Sequence, residues 1–307
     1  MGRRGSWMAT AVAACIGAIA LNGFAQEGSA SRAGVEHVVV VGVDGMSPAG
    51  IAAAKTPHLD ALMARGAFTM KARAVMPTIS SSNWASMIMG AGPEQHGITS
   101  NDWQPDQFEI APTAKGPGGI FPTIFAVLRE ARPESHLAVF YDWSGFGRLF
   151  EHDVVDWSAD TKGPAVTTQR AVEYLVENQP TLTFIHLDHV DHAGHGHGWG
   201  SPEYVKAVEE ADGYIGQVVQ GVEQAGITGS TLVIVTSDHG GKGTSHGGST
   251  MEEIEIPWIV AGPGVAEGLE ITDPVDVYQT AATIAYVLNV TPPTCWIARP
   301  VAQAFSG

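Results

Sequence analysis

Short apolar runs separated by stretches of helical periodicity make up most of this chain. Val38–Val41 is an unbroken β-branched run, extended by Gly42 and Val43, which is the pattern of a strand buried on both faces rather than on one. Similar runs at Leu137–Phe140, Leu182–Leu187, Thr231–Thr236 and Trp258–Ala261 predict further buried strands. Between them, Thr56-Pro57 opens a helix through about Arg65, with Thr as cap and Gly66 as stop. Ser201-Pro202-Glu203 starts a longer helix whose apolar face is Tyr204, Val208, Ala211, Ile215 and Val219. Asp276–Leu288 reads as a last helix, closed by Pro292-Pro293. Strands alternating with helices predict an α/β fold, a parallel sheet with helices on both faces. Residues 103–122 are rich in Pro, Gly and Asp without periodicity, and read as a surface excursion.

The N-terminus belongs to a different category. Arg3 and Arg4 precede an apolar stretch, Trp7–Leu21, too short to span a bilayer comfortably, and Gly23-Phe24-Ala25 offers small residues for cleavage. Residues 1–25 therefore read as a signal peptide and 26–307 as a single catalytic α/β domain, exported to the periplasm or secreted, with no membrane span in the mature chain. A competing lipobox, Val12-Ala13-Ala14-Cys15, would make it a lipoprotein through Cys15.

Composition narrows the function classes. The 307 residues carry 16 Lys+Arg against 32 Asp+Glu, a charge of −16. Losing Arg3 and Arg4 with the leader leaves 14 basic residues against 32 acidic, or −18, which argues against binding a nucleic-acid polymer. With 44% hydrophobic residues the chain is no disordered acidic tail. The 12 histidines stand out, because imidazole and carboxylate together suit transition metals.

The polar clusters fall where strands end, the place where open parallel sheets bind ligands. Asp44 follows the first strand; Asp191 and His195 follow Leu187; Asp238 and His239 follow Thr236, and His246 comes shortly after. Three carboxylates and three imidazoles gathered from separate strand ends would bind two divalent ions, and the donor set suits zinc. An Asp such as Asp44 is by itself equally an ordinary cap, and the five histidines between His186 and His197 have a second reading as a metal-scavenging tract, the feature of a non-catalytic His-rich metal-binding protein. A nucleophile is sought in Thr78-Ile79-Ser80-Ser81-Ser82, a polar run leading into an apolar helix, Trp84–Met89, whose N-terminus favours phosphate. Residue types leave Thr78, Ser80, Ser81 and Ser82 open, with Ser81 or Ser82 equally a helix cap.

Pro77-Thr78-Ile79-Ser80, Asn83, Gly90, Pro93, His96, Gly97 and Ile98 follow one another as in the nucleophile segment of the alkaline phosphatase superfamily, and the chain resembles its type I nucleotide pyrophosphatase/phosphodiesterase group. The resemblance implies an alkaline-phosphatase-like three-layer α/β/α sandwich with a mostly parallel central sheet. It puts Ser80 at the nucleophile position and Asn101 at the phosphate-oxygen contact. It assigns Asp44, Asp238, His239 and Ser80 to one metal ion and Asp191, His195 and His246 to the other, both expected to be Zn2+. Of the overlapping frames Asp188/His192 and Asp191/His195, the second has the glycine before histidine that similar proteins show.

The implied activity is a two-metal phosphoric ester hydrolase acting on a small-molecule phosphate ester through a covalent phosphoserine. Ser81 and Ser82 replace the aromatic and proline that usually follow the nucleophile in nucleotide-cleaving members. The Pro and Arg that follow the modified residue of sulfatases are absent from Ser80–Ser86. No Arg lies between Ser80 and Asn101, which leans toward diesters, while Arg73, Arg132 or Arg148 could enter from elsewhere. An open, partly apolar leaving-group pocket is expected near Trp103. Lys242 reads as a solvated loop residue. A phosphomonoesterase or phosphotransferase on the same site is the alternative.

Overall fold

The computed structural model describes residues 34–305; the leader expected at Met1–Ala25, with Cys15, lies outside the described residues. Eight strands form one sheet: β1 (His37–Val43), β2 (Ala67–Arg73), β3 (Leu137–Tyr141), β4 (Trp157–Asp160), β5 (Leu182–Leu187), β6 (Thr231–Thr236), β7 (Glu255–Ala261) and β8 (Leu269–Glu270). Their order is β4-β3-β5-β1-β6-β7-β2-β8. All pairings are parallel except those of β7, which runs antiparallel to both β6 and β2. The mostly parallel sheet is present, and the run at Trp258–Ala261 forms its one reversed strand.

Among the described residues ten α-helices accompany the sheet: α1 (Pro48–Ala53), α2 (Pro57–Ala64), α3 (Ser80–Met89), α4 (Pro93–His96), α5 (Ile124–Ala131), α6 (Pro164–Asn178), α7 (His189–His197), α8 (Pro202–Gln224), α9 (Met251–Ile254) and α10 (Gln279–Val287). The valine run of β1 shows why there are three layers. Successive side chains of a strand point to opposite faces. Val38 and Val40 enter a core with Trp84 of α3, Phe125 of α5 and Ile284 of α10. Val39, Val41 and Val43 enter the other core, with Leu62 of α2, Leu175 of α6 and Val208 of α8. Each fully buried valine contributes about 1.5–3 kcal/mol, so β1 anchors both layers.

Local departures from the sequence reading have tertiary causes. Thr56 occupies the cap position of α2 but its side chain makes no capping bond. Asp212 of α8 does so instead, accepting from the backbone N–H groups of His58 and Leu59 at 3.2 and 2.8 Å. On α8 itself Val218, rather than Val219, continues the buried face of Tyr204, Val208, Ala211 and Ile215. Residues 103–122 hold one short helical turn, Pro117–Gly119, and return to the core at Ile120 and Phe121.

Candidate active site

Parallel register assembles the site. β1 lies between β5 and β6, with Val43 beside Leu187 and Gly42 beside Thr236, so the three strands deliver their next residues to one sheet edge. Asp44 follows β1 directly, its N–H donating to Leu187 O at 2.8 Å. Gly45 then turns with φ +68°, and a Cβ there would stand 3.0 Å from the Cα of Asp191. Only glycine takes that conformation at that closeness without strain. Its N–H donates to Asp238 Oδ1 at 3.1 Å.

Two of the expected ligand groups converge there. Nε2 of His239 is 3.3 Å from Asp44 Oδ1, 3.2 Å from Asp238 Oδ2 and 3.3 Å from Ser80 Oγ. Asp191 faces His195 Nε2 at 3.4 Å and His246 Nε2 at 3.6 Å. The rings of His239 and His246 stack at 3.7 Å, joining the two groups into one centre.

In each of these histidines the other ring nitrogen is held by a backbone carbonyl: His195 Nδ1 by Thr244 at 2.9 Å, His239 by Gly240 at 2.8 Å and His246 by Thr78 at 2.8 Å. That arrangement fixes Nε2 as the free lone pair, as metal-ligating histidines require. Asp44 Oδ1, Asp191 Oδ1 and Asp238 Oδ2 are buried without a hydrogen-bond partner. Orphaned carboxylate oxygens facing bare imidazole nitrogens fit divalent cations, and among the described residues no hydrogen-bond donor satisfies them.

The nucleophile segment is tied to this centre. Helix α3 begins at Ser80 with Ile79 at its cap, so Ser81 and Ser82 are buried helix residues, and neither is a cap. Asn83 accepts from Val75 N at 2.7 Å and donates to Pro77 O and Ile79 O, fixing the loop before Ser80. Ser81 N–H donates to Asn101 Oδ1 at 2.8 Å, which turns the amide Nδ2 outward as a donor. Arg148 reaches Asn101 from β3's loop, its Nη2 donating to Asn101 O at 2.7 Å. Trp103 differs from expectation: it is 6% exposed, packed on Phe108, and forms part of the core rather than an open pocket. Lys242 pairs with Glu252 at 2.8 Å on the surface.

The chain matches the model of the type I phosphodiesterase/nucleotide pyrophosphatase family over residues 38–118 and 120–256. It belongs to that family. Rat ectonucleotide pyrophosphatase/phosphodiesterase family member 1 is 25% identical over 193 residues, which cover 60% of this chain and 21% of that protein. Rat steryl-sulfatase is 31% identical over 211 residues, covering 56% of this chain and 35% of the sulfatase. The chain thus spans about a fifth to a third of the length of these curated relatives. Among solved structures, mouse ectonucleotide pyrophosphatase/phosphodiesterase 5 in complex with AMP has the same fold, with TM-score 0.73 at 15% identity over 88% of this chain and 99% of that one.

In this phosphodiesterase-family chain several residues at the centre were not legible from motif spacing. Trp84 Nε1 donates to Asp44 Oδ2 at 2.9 Å, its ring lying over Gly42, where a Cβ would come within 2.4 Å. His186, inside β5, is fully buried between Asp44 and Asp142. Asp142 follows β3 as Asp44 follows β1, a signal the sequence did contain. His96 serves structure: its Nε2 meets Ser86 Oγ at 2.9 Å, its Nδ1 accepts from Ile98 N at 3.0 Å, and burial pushes its pKa down to about 3.

Charge explains what the centre needs. Burial, then the charges of Asp44 and Asp188, push the Asp191 carboxyl up to about 9, and burial with Asp44 raises Asp238 well above the carboxylate range. Burial lowers His239 to about 4, leaving a neutral ligand. Among the described residues none of these carboxylates pairs with Lys or Arg. A cation is what lets all of them ionise together. The family is metal-dependent, and Asp44, Asp238 and His239, like Asp191, His239 and His246, stand close enough together to hold a metal ion.

Proposed function

We propose that this chain is a metal-dependent phosphoric ester hydrolase, a phosphodiesterase or nucleotide pyrophosphatase working through Ser80. The observation that carries the reading is Ser80 Oγ, 3.3 Å from His239 Nε2 at the start of α3, with Asn101 clamped beside it. Two divalent ions, zinc by donor type, would be held by Asp44, Asp238, His239 and Ser80 and by Asp191, His195 and His246; when bound they lower the Ser80 hydroxyl pKa and offset charge on the leaving oxygen.

Ser80 attacks phosphorus in line, forming the Oγ–P bond as the bond to the leaving oxygen breaks and losing its proton to solvent. The Asn101 amide donates to a non-bridging oxygen, and the N-terminus of α3 adds its dipole to the same charge. Water then displaces Ser80 from phosphorus, releasing the phosphate product and restoring the hydroxyl. The missing Pro and Arg after Ser80 support phosphoric ester hydrolysis over sulfatase chemistry. The leader at Met1–Ala25 supports export, and no described helix is long and apolar enough to cross a membrane.

One observation favours a monoester substrate instead. Arg148 donates to the Asn101 carbonyl and would be the cation that the segment between Ser80 and Asn101 lacks. Relative kcat/KM for bis(p-nitrophenyl) phosphate and p-nitrophenyl phosphate decides between them. Ser80→Ala is expected to lose cleavage of both and the covalent Ser80 adduct seen by mass spectrometry, a phosphoserine from the monoester and its aryl ester from the diester. Full metal-dependent cleavage by Ser80→Ala would defeat the reading.

A further inference from the structure

Trp199, on the turn between α7 and α8, touches three segments at once: the turn after β1, helix α7 and the loop that runs from His239 to His246. Its Nε1 donates to Gly45 O at 2.9 Å, and its backbone N–H donates to Gly243 O at 2.8 Å. Its ring meets His195 edge-on with centroids 5.4 Å apart and lies 6.0 Å from His246. Two glycines admit the indole. A Cβ at Gly194 would stand 2.7 Å from ring atom Cε2, and one at Gly241 would stand 2.2 Å from the same atom. Any larger residue at either place would displace the ring.

These contacts converge on one of the two ligand groups. Gly45 backs onto Asp191, and Gly194 immediately precedes His195. Gly243 precedes Thr244, whose carbonyl holds His195 Nδ1 at 2.9 Å. The same turn, closed by Lys242 N–H on Ser245 O at 2.8 Å, delivers the chain to His246. The other group is oriented separately, His239 by Gly240 O and Asp238 by Gly45 N–H. Among the described residues no hydrogen bond or ring contact joins Trp199 to Asp44, Asp238 or His239. Nor does the indole N–H rescue an orphan. Tyr204 Oη also donates to Gly45 O, at 2.8 Å, so that carbonyl is satisfied without Trp199. What the indole adds is a lateral tie from Gly45 to the segments that carry His195 and His246.

We propose that Trp199 is a positioning residue for the ion assigned to Asp191, His195 and His246, acting through the two imidazoles, and that the ion beside Ser80 does not depend on it. The inference rests on the two-ion reading of the site. Partners that orient metal ligands without binding the metal set affinity by about 10–100-fold.

Titration of metal-free wild type and Trp199→Phe with Zn2+ tests it by calorimetry. Phe keeps a ring against the glycines and removes the N–H. Expected in the variant are one affinity equal to wild type and one about 10–100-fold weaker. In anomalous maps at limiting Zn2+, the peak among Asp191, His195 and His246 should fall relative to the peak among Asp44, Asp238 and His239. The thermal midpoint should drop further in the Zn2+-loaded variant than in the metal-free one. Both affinities unchanged, both weakened alike, or an equal drop in the two forms would reduce Trp199 to packing and leave the two-ion reading standing. Fewer than two ions in wild type overturns both. Should Trp199→Phe not fold, Gly194→Ala takes its place: it favours the helix by propensity while pressing a methyl onto the ring. The same selective loss is expected there, and wild-type binding overturns the inference.

Discussion

The carbonyl oxygen of Thr78 lies 2.8 Å from Nδ1 of His246, across 168 residues of sequence. Thr78 Oγ1 donates to Gly248 O at 2.8 Å and accepts from Gly247 N at 3.1 Å. The loop that presents Ser80 and the loop that presents His246 are therefore held in one geometry by a single threonine.

Thr78→Val keeps the volume and removes both side-chain bonds. The unpaired backbone groups lower stability by about 1–3 kcal/mol. The Thr78 carbonyl still meets His246, so the loosened loop is expected to weaken metal affinity by less than the about 10–100-fold that loss of the orienting partner itself would cost. Metal titration of the variant checks this, and affinity equal to wild type would show that the two loops are positioned independently.

Trp84 acts on Asp44 through one N–H. Trp84→Phe retains an aromatic ring against Phe146 and Phe184 and deletes only that donor and some volume. Expected are a 10–100-fold weaker hold on metal and a stability loss of about 1–3 kcal/mol. Denaturant midpoints together with metal competition separate the two effects; unchanged affinity at reduced stability would confine Trp84 to packing.

Asn101→Ala removes the proposed donor to a non-bridging oxygen and the acceptor for Ser81 N. A fall of about 10²–10³ in kcat is expected, as for loss of one oxyanion donor. Steady-state kinetics on an aryl phosphate ester measure it, and a change restricted to KM would reassign Asn101 to ground-state binding.

His96 gives a pH dependence with a definite sign. Burial holds its folded-state pKa at about 3, below the ordinary histidine value of 6.5, so the native state resists a proton that the unfolded chain accepts. The stability it protects is present above about pH 6.5 and is lost as pH falls toward 3. Urea midpoints at pH 7 and pH 4.5 should therefore drop more steeply in wild type than in His96→Asn. Parallel slopes would mean that His96 does not titrate this way.

Metal removal tests the origin of phosphate affinity. The chain's net charge of −16 repels anions, so the attraction must come from bound cations against Asp44, Asp191 and Asp238. Exhaustive chelation should abolish competitive binding of inorganic phosphate, measured by calorimetry. Undiminished binding in metal-free protein would place phosphate on some other basic surface.

What the sequence determined is what depends on local periodicity and on order along the chain. The valine run of β1, buried on both sides, specified a sheet covered on both faces, and Asp44, Asp191 and Asp238 after their strands marked one edge. The tertiary structure decided which histidines of the 186–197 tract face that edge. His186 is on a strand and wholly buried, His195 turns with Asp191 toward His246, and His192, one turn earlier on α7, has a side chain 74% exposed.

Sequence spacing alone cannot separate these residues, because all are compatible with a metal tract. The phase of α7 against the sheet edge does, since it fixes which side chains point inward. The partners of Trp84, Asp142 and Thr78 were hidden for the same reason, although the place of Asp142 after its strand was legible. Each acts on a partner 40 to 170 residues away, and such pairs exist only once parallel strands have set their register.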